Sequence, residues 1–150
     1  VVARGLVAFA LGTDTAGSGR VPAGFNNLVG TKPTPGIVST DGVLPACRTL
    51  DCVSLLTLTA ADAARVFAVM AGPGAPQPAE PVFSRPQQLR HALPPQPRVG
   101  TPRERPFLAG EYARLFGEAV RHLQALQCSH GEFGLAPFAE VAALLYQGPW

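Results

Sequence analysis

The residues best suited to chemistry lie in one stretch, Gly12-Thr-Asp-Thr-Ala-Gly-Ser-Gly-Arg-Val-Pro-Ala23. It places Ser18 among small residues, with Asp14 before it and Arg20 after it. Such a loop can cradle a phosphate, make a plain turn, or seat a nucleophile that a substrate must approach closely. A P-loop requires Gly-x-x-x-x-Gly-Lys-Ser/Thr, and no lysine follows these glycines. A dinucleotide fingerprint requires a third glycine, and after Gly17 and Gly19 that place holds Pro22. The Gly-x-Ser-x-Gly nucleophile elbow has Ala16 and Arg20 at its two glycine positions, so it fails as well.

What remains is suggestive. Thr15, Ala16 and Gly17 carry small side chains, so their backbone N–H groups can point at a carbonyl oxygen unobstructed, as an oxyanion hole requires. A serine is a weak nucleophile without a base. The histidines, His91, His122 and His130, all lie far along the chain on polar or turn-like segments. On the residues alone, a structural turn and a nucleophile loop both stand, and the turn is the commoner use of such a composition. Asp14 and Arg20 read as an acid–base pair that shapes the loop. Tyr146 falls at helical spacing with Ala142, which suits either packing or ligand contact. Cys128 and His130 have no companions at metal-ligand spacing, so no metal site is implied.

The chain that must position these groups has 150 residues, enough for one domain with a real core. It is 47% hydrophobic and 15% charged, with net charge +2, which excludes a disordered charged tail. The basic residues are scattered and Lys32 is the single lysine, so neither nucleic acid nor an anionic membrane is an expected partner. The apolar run from Val1 to Leu11 is too short to span a bilayer and contains Arg4. Glycine and proline number 16 each without a repeat period, which implies many turns. Three cysteines, Cys47, Cys52 and Cys128, have no framework spacing and read as reduced thiols of a cytoplasmic protein, with Cys47 and Cys52 in or near the core. No signal peptide is evident, and the first residue, Val1, and the last, Trp150, suggest a piece cut from a longer chain.

The pattern predicts a buried strand over Gly5 to Leu11 closed by Gly12, a short turn over Asn26 to Pro33, a small strand over Gly36 to Thr40, and a strand-like element over Leu55 to Thr59. Thr59 and Asp62 mark a helix start, and the helix runs from Ala60 to about Ala71 with Ala64, Phe67, Ala68 and Ala71 on its inner face. Gly72-Pro73-Gly74 stops it. Nine of the sixteen prolines fall between 73 and 102, a surface excursion. Arg98 to Gly100 suits a short strand. Leu108 to Gln127 is an amphipathic helix with Tyr112, Leu115, Phe116, Ala119, Leu123 and Leu126 at helical spacing. Pro137 to Tyr146 is a second helix with Phe138, Val141, Ala142 and Leu145 inward. Strand, loop and helix in this order imply an α/β fold.

Gly12-Thr-Asp-Thr-Ala-Gly-Ser-Gly-Arg20 with Val-Pro-Ala23 resembles the amidase signature family, whose core reads Gly-Thr-Asp-x-Gly-Gly-Ser-x-Arg-x-Pro-Ala. Gly30-Thr-Lys-Pro-Thr-Pro-Gly36 is similar to its next motif, Gly-x-Lys-Pro-Thr-x-Gly. Val43-Leu-Pro-Ala-Cys-Arg-Thr-Leu-Asp-Cys-Val-Ser54 and Leu144-Leu-Tyr-Gln-Gly-Pro-Trp150 resemble the allophanate hydrolase branch. The likeness is close over residues 5 to 72 and looser over 98 to 150. Ala16 stands where the wider family has glycine, as in this branch, and Pro35 stands where arginine is common.

The resemblance implies a mixed β-sheet flanked by helices, of which residues 1–150 form a central to later part. It implies a Ser–cis-Ser–Lys hydrolase acting on linear amides. Ser18 would attack the amide carbonyl and become acylated, with the N–H groups of Thr15, Ala16, Gly17 and Ser18 as the oxyanion hole. A bridging serine in an upstream Ser-Ser-Gly-Gly segment and a lysine beyond it would move the proton. Neither segment occurs in these residues, and Lys32 belongs to the Lys-Pro-Thr motif, so it is not the base. Tyr146 would help hold the substrate, with an arginine shortly after the Gly-Pro-Trp motif on its carboxylate.

The implied activity is hydrolysis of allophanate (urea-1-carboxylate) with ammonia release, in urea or s-triazine nitrogen use, without cofactor or metal. The expected partner is a small-molecule amide, and a homodimer is compatible with the sequence. A different amidase signature enzyme, including the glutamine-amidotransferase subunit type, and a non-catalytic module of the same fold are the alternatives. These residues alone are expected to be inactive.

Overall fold

Phe9–Asp14 forms the first strand (β1), and it is placed by the strand it pairs with. The computed structural model describes residues 1–71, 95–105 and 109–147. The chain divides into two units, Val1–Gln87 and Gln88–Trp150.

In the first unit, β1 is followed by a helix, Arg20–Phe25 (α1), and two strands, Val29–Thr31 (β2) and Cys52–Thr57 (β3). The central strand is β3, antiparallel to both neighbours in the order β1-β3-β2. Its Cys52, Ser54, Leu55 and Thr57 are all buried, and Val2, Ala23, Ile37, Val38 and Ala63 complete the apolar core. The register sets Gly12 opposite Ser54 and Asp14 opposite Cys52, so the chemically interesting acid sits at the inner end of β1. A helix over Ala60–Ala71 (α2) follows, its first turn capped by the Thr59 hydroxyl, which accepts from the Asp62 amide at 3.1 Å.

Several expectations are corrected here. β1 does not stop at Gly12: pairing with β3 carries it to Asp14, while residues 5 to 8 precede it. Asn26 to Pro33 is not only a turn, because Val29–Thr31 pairs with β3 from the other side. Gly36 to Thr40 has β-branched residues but no strand partner and forms turns and bends, with Gly36 at φ +82°. The strand expected at Leu55 to Thr59 begins earlier, at Cys52. On α2 the inward residue is Ala63 rather than Ala64 and Ala68, which are exposed, because packing on β3 selects a stripe turned by one position. The expected helix stop at 72 to 74 and most of the proline-rich excursion lie outside the described residues.

The second unit contains Arg98–Pro102 (β4), Gly110–Ala125 (α3), Ser129–Phe133 (β5) and Ala136–Gln147 (α4). β4 and β5 pair in parallel, which requires a crossover, and α3 supplies it. Across the pair the Thr101 hydroxyl and His130 Nε2 are 2.8 Å apart, so His130 is a strand residue rather than part of a turn. Glu104 accepts from the Leu135 amide at 3.0 Å and thereby ties the end of β4 to the start of α4. The Phe133 and Phe138 rings meet edge to face at 5.5 Å. The expected inner face of α4 is only partly covered within this unit: Leu145 is half-buried, whereas Phe138 and Val141 are 62% and 68% exposed. A βα-type unit with so few residues cannot enclose both helices. Among the described residues no helix is long and apolar enough to cross a membrane.

Three glycines let α1 and the turn before it lie directly against the sheet. A Cβ on Gly30 would come 2.7 Å from the Ala23 Cβ, and one on Gly19 would come 2.3 Å from Ser54 Oγ. Gly12, opposite Ser54, would place a Cβ 3.6 Å from the same hydroxyl. Gly19 has an ordinary φ of −91°, so its constraint is one of space alone. Gly19→Ala is therefore expected to destabilise the fold by about 1–3 kcal/mol through overpacking. Urea unfolding followed by circular dichroism checks this. Ser54→Gly in the same chain should recover part of the loss, since it removes the atoms the new methyl would meet.

Candidate active site

The site is built on the turn between β1 and α1. β1 ends at Asp14, the chain turns through Thr15 to Gly19, and α1 begins at Arg20. Gly17 has φ +143°, a conformation that favours glycine, and the turn depends on it. Pro22 falls in the first turn of α1, where its missing N–H costs no helical hydrogen bond.

The turn is held from beneath by Asp14, whose side chain is fully buried. Its Oδ2 accepts from the Gly19 amide at 3.1 Å, the Arg20 amide at 3.0 Å and Arg20 Nε at 3.0 Å. Its Oδ1 accepts from Arg20 Nη2 at 3.1 Å, so the guanidinium grips both oxygens. The Arg20 guanidinium draws the Asp14 pKa down to about 2, against the opposing push of burial, and the two amides help. Asp14 also satisfies two N–H groups that the start of α1 leaves free. The sequence reading of Asp14 and Arg20 as a loop-shaping pair agrees with this geometry.

A second acid secures the other side. Asp51 Oδ1 accepts from the Thr15 hydroxyl at 2.5 Å, and its Oδ2 accepts from the Ala46 and Cys47 amides at 2.8 and 2.9 Å. Burial pushes the Asp51 carboxyl up, but the Thr15 hydroxyl, the Cys47 and Ala46 amides and the charge of Lys32 together hold it below the ordinary range. Lys32 donates to the carbonyls of Asp14, Thr15 (3.4 Å) and Leu50 (2.7 Å), and its Nζ lies 3.7 Å from Asp14 Oδ1. These three carbonyls and the Asp14 carboxylate, rather than Ser18, are what the Lys32 ammonium faces. Neither Asp51 nor this use of Lys32 was found from sequence. The nearest signal was that both fall inside motifs that follow the loop.

Ser18 is exposed and its Oγ donates to the Thr13 carbonyl at 3.1 Å. The amides of Ala16, Gly17 and Ser18 have no acceptor among the described residues. The structure brings Thr15, Ala16, Gly17 and Ser18 together on one turn. Tyr146 lies on α4 of the second unit with its side chain 82% exposed, which excludes a core packing role within that unit. His91 and the Gly-Pro-Trp end lie outside the described residues. Among the described residues no cluster of three or more His, Cys, Asp or Glu could hold a metal ion. Cys47, Cys52 and Cys128 are free thiols; Cys52 is buried and donates to the Pro33 carbonyl at 3.2 Å.

The site is therefore a glycine-lined turn after β1 that carries an exposed serine and is braced by a buried Asp–Arg pair. The Amidase family matches residues 1–150, and the chain belongs to that family. The chain is 44% identical over 154 residues to the urea amidolyase of Saccharomyces cerevisiae, covering all of this chain and 8% of that protein. A solved structure of the Kluyveromyces lactis allophanate hydrolase superposes with TM-score 0.87 at 41% identity over 99% of this chain and 24% of that one. The indoleacetamide hydrolase of Pseudomonas syringae pv. syringae is 49% identical over 71 residues, 47% of this chain and 16% of that protein. The chain thus spans a small fraction of each relative.

The Asp14 ion pair makes stability depend on acid. The folded-state pKa is depressed, so its stabilisation is present in full above the unfolded value near 3.8 and is lost as the pH falls through about 2. The loss should amount to at most about 2 kcal/mol. Unfolding free energies measured down to about pH 2 check this, and Asp14→Asn should remove that part of the slope while lowering stability at neutral pH.

Proposed function

We propose that this chain is the nucleophile-bearing part of an allophanate hydrolase-like amidohydrolase, in which Ser18 attacks the terminal amide carbonyl of allophanate. The Ser18 oxygen bonds to the carbonyl carbon, and the resulting oxyanion is met by the N–H groups of Thr15, Ala16 and Gly17. Collapse of the adduct breaks the C–N bond; the nitrogen takes a proton and leaves as ammonia, with Ser18 acylated. Water then cleaves the ester and restores the hydroxyl. The observation that carries this reading is the exposed Ser18 on a turn whose neighbouring amides are unengaged.

Likeness that extends through both units to a urea amidolyase and an allophanate hydrolase favours allophanate over other amides. Among the described residues Ser18 contacts only the Thr13 carbonyl, which cannot take its proton, so the base is proposed to be supplied by further residues. These 150 residues alone are therefore proposed to be inactive. A cytoplasmic setting accords with the three free thiols. Tyr146 is proposed as a substrate contact on the strength of the family resemblance. The likeness over 71 residues to an indoleacetamide hydrolase supports a second reading, an amidase for another amide.

The test is ammonia release by the full-length enzyme that contains this chain. Allophanate should be turned over, and Ser18→Ala should lower kcat by on the order of 10⁴ or more. Turnover of simple amides but not allophanate would transfer the assignment to the second reading. Undiminished activity in Ser18→Ala would remove Ser18 as nucleophile.

A further inference from the structure

Two groups beside the turn, Lys32 and Asp51, are left unused by the acyl chemistry. Lys32 is only 18% exposed on its side chain, and its ammonium is caged by the carbonyls of Asp14, Thr15 and Leu50. Asp51 follows Leu50 directly and receives the Thr15 hydroxyl. The two groups therefore converge on one residue, Thr15, from its backbone and its side chain.

The peptide group is planar and trans, so a carbonyl and the N–H of the next residue point in opposite directions. The Asp14 carbonyl shares its plane with the Thr15 N–H, and the Thr15 carbonyl shares its plane with the Ala16 N–H. A cation that draws both carbonyls to itself must turn both N–H groups away from it. Successive N–H groups fixed side by side make a concavity that binds an anion. The positive charge of Lys32 thus acts at a distance of one peptide plane, by orienting dipoles rather than by touching substrate. Preorganised dipoles of this kind require no rearrangement when charge develops on the reacting oxygen.

We propose that Lys32 and Asp51 are positioning residues for the oxyanion-binding turn, holding the Thr15 and Ala16 N–H groups toward the substrate carbonyl. The proposal rests on the reading of Ser18 as nucleophile. It gives Lys32 a role distinct from a catalytic base and explains why a lone lysine is buried against carbonyls beside the turn. Only an ammonium suits this cage, because three acceptors surround a compact point donor; a planar guanidinium does not reproduce that geometry.

The experiment measures kcat and KM for allophanate in the full-length enzyme, together with the rate at which a fluorophosphonate phosphonylates Ser18. Lys32→Met should lower kcat and the phosphonylation rate by about 10²–10³-fold with KM changed by no more than about threefold. Lys32→Arg should fail to restore either rate. Thr15→Val, which keeps the backbone and removes only the hydroxyl bond to Asp51, should lower both rates about tenfold. It also decides the matter if Lys32→Met does not fold, as judged by thermal unfolding. The proposal is overturned if a folded Lys32→Met or Thr15→Val keeps wild-type kcat, if KM rises while kcat holds, or if Lys32→Arg is fully active. Ser18→Ala run in parallel separates the two readings: if that variant still turns over, the nucleophile assignment has failed, whatever Lys32 does.

Discussion

The buried carboxylate of Asp14 is the constraint around which the first unit is arranged. A charge taken wholly out of water is costly unless partners replace its hydration. Here the replacement is complete on both oxygens: two amides and one guanidinium nitrogen on Oδ2, a second guanidinium nitrogen on Oδ1, and Lys32 within ion-pair distance. The partners come from two places along the chain, Gly19 and Arg20 at the start of α1 and Lys32 just after β2. To satisfy the acid, the chain must reverse immediately after β1, start α1 at Arg20, and bring Lys32 back beneath the turn. The order of events along the sequence is thus dictated by the solvation of one side chain.

That reversal works only because glycines remove obstacles where the backbones come closest. Gly19 sits on Ser54 with no room for a Cβ, and Gly30 does the same against Ala23 of α1. Gly17 supplies the backbone conformation that the turn needs, and Gly12 faces Ser54 across the ladder. The Ser54 hydroxyl is buried with no hydrogen-bond partner among the described residues, an unusual cost accepted where the turn is pressed onto the sheet. The glycines that look like a phosphate loop in a list of letters therefore serve close packing, and the absence of a lysine after them agrees with that use.

Legibility in the sequence followed the range of the interactions. The helix over Ala60–Ala71 was readable to its ends because its cap and its periodicity are local. The two later helices were readable from apolar spacing alone. β2 and β5 were not, since three residues reading Val-Gly-Thr and five reading Ser-His-Gly-Glu-Phe carry no alternation and become strands only through their partners. α1 was hidden inside the loop motif, because its first turn is capped by an acid five or six residues away rather than by an adjacent side chain. The turn and its Asp–Arg pair were legible through types and spacing, whereas the role expected of Ser18 came from the family resemblance. The clamp on Thr15 was not, because Asp51 reaches it across 36 residues.

The geometry also divides the work of an acyl transfer. Nucleophilic attack on an amide needs a positioned oxygen, a means of removing its proton, and stabilisation of the charge that forms on the carbonyl oxygen. On the proposed reading the first unit supplies the first and third from a single turn, with Ser18 beside amides that have no acceptor among the described residues. The described residues of that unit place no acceptor for the proton beside Ser18, which contacts a carbonyl, and the nearby ammonium of Lys32 is committed to three others. The acids near the turn, Asp14 and Asp51, are both held ionised and both filled by structural donors. Charge beside this serine is thus engaged by backbone and hydroxyl groups of the turn, and on the proposed reading proton transfer falls to groups other than these.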